Sequence, residues 1–95
     1  MIKTQGQQNV YIIHKLLQIM QTQFKLHQKV KLLIDPDPEY IEYQPEQSQP
    51  IKKGMIGKIN ILLPNGKYHV EIIEPETEET IAYVPVDEEY LEATE

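Results

Sequence analysis

The sequence lacks cysteine and arginine, and each absence argues against a class of function. Without cysteine, neither a disulfide framework nor a thiolate metal site is available. Arginine is the side chain best suited to bidentate contacts with phosphate and guanine, so its absence disfavours nucleic-acid binding. No apolar run approaches the roughly 20 residues that a membrane-spanning helix needs. We therefore expect a cytoplasmic protein without a membrane anchor.

Catalytic and cofactor-binding residues are also sparse. His14, His27 and His69 are far apart and show no metal-ligand spacing, while Ser48 is the only serine and has no neighbouring base. The paired acids of EPETEE and DEE are typical of a solvated surface in a chain with 15 acidic residues. We predict a protein that is not an enzyme and that binds neither a cofactor nor a metal.

Charge is divided unevenly along the 95 residues, whose net charge is −6. Residues 1–34 contain five lysines and no acidic residue, whereas residues 35–95 contain all 15 acidic residues and four lysines. Such a separation of positive and negative charge indicates that the two parts of the chain lie in different environments.

The N-terminal part is predicted to be an extension of residues 1–26 that precedes a single β domain of residues 27–95. An amphipathic helix is predicted from Tyr11 to about Phe24, where five apolar residues recur at helical spacing: Ile13, Leu16, Leu17, Met20 and Phe24. One interpretation buries this stripe on the domain, and another buries it against a partner chain, which would make a homodimer. Because Met20 opens a segment typical of a protein start, residues 1–19 are alternatively an upstream extension.

Strand patterns dominate the rest of the chain. Val30, Leu32 and Ile34 alternate with their neighbours in the period of a strand, and MIGKINILL predicts a second strand. In PNG, Asn65 and Gly66 are predicted to supply the positive φ angles of a tight hairpin turn. KYHVEII then alternates Tyr68, Val70 and Ile72 against an outward His69, IAYVPV follows, and DEEYLEA predicts a short helical turn and an edge strand. About five strands in this order favour a small closed barrel.

The segment DPDPEYIEYQPEQSQP, residues 35–50, interrupts this pattern with four prolines. Proline removes a backbone donor and keeps its predecessor extended, so we predict a stiff surface loop. Tyr40, Ile41 and Tyr43 lie on it among acidic residues, where binding residues tend to be found. The alternative is that Tyr40 and Ile41 fold back and cap the barrel.

The two glycines of KKGMIGK have two possible interpretations: a phosphate-binding loop or a turn of a small β-barrel. A phosphate-binding loop of the Walker type needs G-x-x-x-x-G-K-[ST] between a strand and a helix, whereas Gly54 and Gly57 are three apart and lead into a strand. We predict that Gly54 adopts a positive φ in a turn and that Gly57 permits a bulge or a close crossing.

The stretch IKKGMIGKINILLPNGKYHVEI resembles the turn, strand and hairpin of small bacterial SH3-like barrels, and ETIAYVPVDEEYLE resembles the end of one uncharacterised bacterial family of this kind. The likeness covers about residues 28–92. It implies a mainly β, five-stranded SH3-like barrel that acts without catalysis, as an antitoxin or immunity protein. The lysine-glycine turn is also similar to the KOW motif of ribosomal and transcription proteins.

Two functions follow. In the first, an acidic module binds a basic protein, with complementary charge and tyrosine anchors supplied by Asp37, Glu39, Tyr40, Glu42, Tyr43, Glu88 and Tyr90. In the second, a KOW-like face binds nucleic acid through six lysines, with Tyr68 available to stack on a base: Lys29, Lys31, Lys52, Lys53, Lys58 and Lys67. The acidity of the domain favours the first function.

Overall fold

The computed structural model describes residues 24–94, which form one antiparallel sheet around a single core. The strands are β1 (Lys29–Leu32), β2 (Glu42–Tyr43), β3 (Ile56–Leu62), β4 (Lys67–Ile73), β5 (Thr80–Asp87) and β6 (Leu91–Ala93). Two 3₁₀ helices, Pro38–Tyr40 and Glu88–Tyr90, precede β2 and β6. The predicted helix from Tyr11 to Phe24, and the dimer through it, lie outside the described residues except for Phe24 itself.

The sheet has the order β2-β5-β4-β3-β1-β6. The mainly β prediction is confirmed. The last strand follows a 3₁₀ helix and returns to pair with the first strand, which gives an SH3-like fold. Residues 24–94 form six strands rather than the predicted five or so. The prediction of closure was also wrong, because β2 and β6 are the two outer edges of the sheet and do not pair with each other. The additional strand, β2, is two residues long and lies between prolines, so no alternation marks it in the sequence.

The core forms because β4 and its neighbours alternate as predicted. Tyr68, Val70 and Ile72 of β4 are fully buried, and they pack with Val30 and Leu32 of β1 and with buried residues of β3, β5 and β6. The predicted first strand ends at Leu32, so Ile34 lies beyond it and is exposed. Burial of this apolar surface is the main force that stabilises a sheet of this size.

Phe24 also belongs to this core. Its side chain is buried, and its ring packs edge-on against Tyr68, with 5.5 Å between the ring centroids. The Phe24 backbone N–H donates to the Tyr68 hydroxyl at 3.4 Å, and that hydroxyl donates to Glu88 at 2.7 Å. Residues 24–28, which precede β1, are therefore anchored to the core through Phe24, the only phenylalanine of the chain.

Both glycines of KKGMIGK have the roles that the sequence predicted. Gly54 has a φ of +92°, and its N–H donates to the carbonyl of Leu32 at 2.8 Å, which closes the base of the long loop between β1 and β3. Gly57 is buried in β3 against Val70 and Glu71 of β4. The segment is a turn followed by a close strand crossing.

The PNG hairpin differs from the prediction in one respect. Gly66 has a φ of +83°, but Asn65 does not have a positive φ. The N–H of Gly66 donates to the carbonyl of Leu63 at 3.2 Å, and the N–H of Leu63 donates to the carbonyl of Lys67 at 2.7 Å. This pattern is typical of a type I turn completed by a left-handed glycine, a common alternative to the two-residue turn.

Candidate functional site

The candidate site lies on the outer face of the sheet, where a β-bulge at Asn60 turns a side chain of β3 toward solvent. Ile59 pairs with Val70 in the core, but the register then shifts, and Ile61 pairs with His69. Without the bulge, the two-residue period of β3 would place Ile61 on the core side with Ile59. The extra residue instead sends Ile61 to solvent, where its side chain is 51% exposed.

His69 is held in place beside Ile61 by two contacts. Its ring is parallel to that of Tyr83, with 5.1 Å between the centroids and 3° between the planes. Asn60 Nδ2 lies 2.9 Å from His69 Nδ1, so the side chain of the bulge residue contacts the imidazole. His69 faces outward as predicted, but it is half-buried in these contacts.

The long loop between β1 and β3 completes the site. Asp37 caps the first 3₁₀ helix by accepting a hydrogen bond from the N–H of Glu39 at 3.0 Å, and β2 then pairs with β5. This pairing places Tyr40, which is 59% exposed, beside the outer face of β3 and β4. The resulting open depression of about 500 Å³ is here called the outer-face patch, and it is lined by Glu39, Tyr40, Glu42, Ile61, Leu63, His69 and Pro85.

Other predicted binding residues lie elsewhere. Asp37 and Tyr43 line a second depression among the prolines of the loop, and Glu88 lines a third next to Gly66. Tyr90 packs against the core, and its carbonyl accepts a hydrogen bond from the N–H of Leu33 at 2.9 Å. The structure therefore brings only Glu39, Tyr40 and Glu42 of the seven predicted residues to the outer-face patch.

The loop was expected either to expose its aromatic residues for binding or to cap the barrel, and the structure assigns these roles to different residues. Ile41 is half-buried and packs against the core, so the prediction of a cap is confirmed for this residue. Tyr40 does not share that role, because its side chain is exposed at the patch. The cap and the exposed aromatic are thus neighbouring residues with different environments.

The sequence did not single out Ile61, Leu63, His69 and Pro85 as members of one site. One signal for them was present in KINILL, where a polar Asn60 interrupts an aliphatic strand and alternation fails after it. A broken period of this kind is typical of a bulge. The proximity of Tyr40 had no such signal, since it depends on the pairing of β2 with β5.

The lysines are distributed differently from the predicted basic face. Four of the six form ion pairs with carboxylates: Lys29 and Lys58 with Glu78, Lys31 with Glu92, and Lys67 with Asp87. Lys58 donates to Glu78, which raises the pKa of Lys58, and the hydrogen bonds from Lys58 and Lys29 lower the pKa of the Glu78 carboxyl. Lys52 and Lys53 have no ion pair within residues 24–94.

Tyr68 is fully buried, so the expectation that it stacks on a base was wrong. Its ring fills the core, and alternation along β4 turns it away from solvent. Within residues 24–94, no group of three or more histidine and acidic side chains is placed to hold a metal ion. In the same part of the chain, no helix is long and apolar enough to cross a membrane.

Comparisons with known proteins give one structural likeness. No family model matches the chain, and no curated protein matches it. A solved structure described as the solution structure of the fifth SH3 domain from human KIAA0418 protein is 16% identical, with a TM-score of 0.46. The match covers 78% of this chain and 87% of that domain.

Proposed function

We propose that this protein is a non-catalytic binding module that captures a basic protein on the outer-face patch, in the manner of an antitoxin or accessory subunit. The observation that carries the proposal is that two exposed apolar side chains, Ile61 and Tyr40, line one depression that Glu39 and Glu42 also line. An apolar centre with a charged rim is the usual composition of a protein interface.

The apolar part of the patch supports this function on energetic grounds. Full burial of an isoleucine side chain is worth about 1.5–3 kcal/mol, and the bulge forgoes much of that by turning Ile61 to solvent. A partner that covers Ile61 would recover this free energy on binding. Tyr40 adds a rigid, amphipathic ring of the kind that anchors many interfaces.

The negative charges at the patch favour a positively charged partner. Glu39 and Glu42 have no ion pair within the described residues, so their charges are available to a basic surface. Complementary charge of this kind speeds association and disfavours partners that carry phosphate. A second copy of this domain is disfavoured as the occupant, because a symmetric contact would place these glutamates against each other.

The nucleic-acid alternative has less support. The ion pairs with Glu78, Glu92 and Asp87 reduce the positive potential of the lysine surface, and the tyrosine expected to stack on a base lies in the core. Lys52 and Lys53 remain, and two lysines give only a weak, salt-sensitive attraction to a phosphate backbone.

The test is a capture experiment with the full 95-residue chain and two matched variants. Ile61→Asp places a charge in the patch, and Ile34→Asp places the same charge at another exposed isoleucine, outside the patch. We expect wild type and Ile34→Asp to retain one stoichiometric basic protein from a nuclease-treated lysate and Ile61→Asp to lose it. Equal retention by all three chains, or recovery that disappears with nuclease, would overturn the proposal.

A further inference from the structure

The contact between Asn60 and His69 depends on which ring nitrogen of His69 carries a proton. An amide nitrogen can donate but cannot accept, so at 2.9 Å from Asn60 Nδ2 the Nδ1 atom of His69 is the acceptor. An imidazole accepts at Nδ1 only when that nitrogen carries no proton. With the Asn60 amide in this orientation, the contact requires neutral His69 with its proton on Nε2.

This contact joins the two residues that define the bulge register. Asn60 is the extra residue of β3, and His69 is the residue of β4 that pairs with Ile61. The parallel ring of Tyr83 packs against the imidazole, and Nδ1 is directed at Asn60 of β3. The position of the bulge, and with it the direction of Ile61, is thus tied to His69.

Several charged or titratable groups surround His69 on the outer face. They are Lys58 on β3, Lys67 and Glu71 on β4, Tyr83 and Asp87 on β5, and Glu39, Tyr40 and Glu42 from the loop and β2. Carboxylates, phenols and ammonium groups ordinarily keep one charge between pH 5.5 and 8, whereas imidazoles titrate at about pH 6.5.

We propose that Asn60 and His69 are positioning residues of the outer-face patch, and that the patch presents Ile61 only while His69 Nδ1 is unprotonated. Protonation replaces the acceptor with a donor that faces the amide group of Asn60. Two opposed donors repel, so the bulge loses the contact that fixes it, and Ile61 is released from its place beside His69. The importance of this device for binding rests on the proposed function, but the device itself is a property of the free chain.

The test is nuclear magnetic resonance of the full, partner-free chain with labelled isoleucine methyl groups. At pH 8 we expect Overhauser contacts between the Ile61 δ1 methyl and the His69 ring. These contacts should be lost by pH 5.5, with the midpoint at which the His69 ring itself titrates. His27, which is exposed, supplies a reference imidazole, and the Ile34 methyl supplies a control that should not follow His69.

Variants of Asn60 make the test specific. In Asn60→Asp, the carboxylate accepts from protonated Nδ1, so the Ile61 contacts should be stronger at pH 5.5 than at pH 8. In Asn60→Ala, the contacts should no longer depend on pH. The inference would be overturned if the Ile61 contacts persisted in wild type while His69 titrates. This result would arise if the Asn60 amide turned and presented its oxygen to Nδ1. Because no partner is present, that result would leave the proposed function untouched.

Discussion

A β-carbon built on Gly57 would lie 2.6 Å from Cγ1 of Val70. It would also lie 2.9 Å from the backbone carbonyl oxygen of Glu71, which cannot move without disturbing β4. We expect Gly57→Ala to lower the free energy of unfolding by about 2 kcal/mol, as overpacking of a core does.

Gly54→Ala is the matched control for this prediction. At Gly54, no atom beyond the glycine and its two chain neighbours lies within 4 Å of the added carbon, and the cost comes only from the positive φ of +92°. That cost is about 1 kcal/mol. Urea denaturation monitored by circular dichroism measures both changes, and a larger loss in Gly54→Ala than in Gly57→Ala would contradict the close crossing.

Phe24 provides a second test of the core. Its ring is buried against Tyr68, so Phe24→Ala should cost about 3 kcal/mol of unfolding free energy in the full chain. Leu26→Ala removes a neighbouring side chain that is 60% exposed and should cost less than about 0.5 kcal/mol. An unfolding curve that is the same for both variants would show that Phe24 lies outside the cooperative unit.

The ion pairs of Glu78 predict a dependence of stability on pH. The lowered pKa of Glu78 contributes stability that is present above the unfolded-state glutamate pKa of about 4.3 and is lost as the pH falls through the folded value. The raised pKa of Lys58 contributes stability that is lost only as the pH rises above about 10.4. Glu78→Gln should therefore be slightly less stable than wild type at neutral pH and equally stable in acid.

Glu76→Gln is the control, because Glu76 is exposed in the same turn and has no ion pair within residues 24–94. Thermal unfolding from pH 3 to pH 8, at low and at high salt, measures the difference between the two variants. Since these groups are exposed, the effect of Glu78→Gln should shrink at high salt. A difference that grows in acid would contradict the assignment.

The sequence predicted the strands better than the site, for a physical reason. Val70 and Ile72 follow the strand period, and Gly54 is dictated by local backbone geometry, so nearby residues suffice to identify them. The presence of Tyr40 in the same depression as Ile61 depends on the pairing of β2 with β5, a contact between distant parts of the chain. The bulge at Asn60 lies between these cases, because a broken period marks it but the residues opposite it are set by β4.

Glu88 illustrates how a charged residue can mislead a prediction from composition. In DEE it is one of several acids suited to a basic partner, yet its carboxylate accepts a hydrogen bond from the buried Tyr68 hydroxyl. Reversal of its charge would therefore disturb the core as well as the surface, so Glu88 is not a suitable site for testing electrostatic attraction. Glu39 and Glu42 are exposed and have no such contact with the core.

The most direct test of the binding account is the association rate of the captured basic protein with two double variants at low salt. We expect Glu39→Lys with Glu42→Lys to slow association several-fold, because it reverses the charge at the patch, and we expect high salt to reduce the difference. Lys52→Glu with Lys53→Glu changes the unpaired lysines outside the patch and should leave association unchanged or faster. If the lysine reversal abolished binding while the glutamate reversal had no effect, the outer-face patch would not be the binding surface.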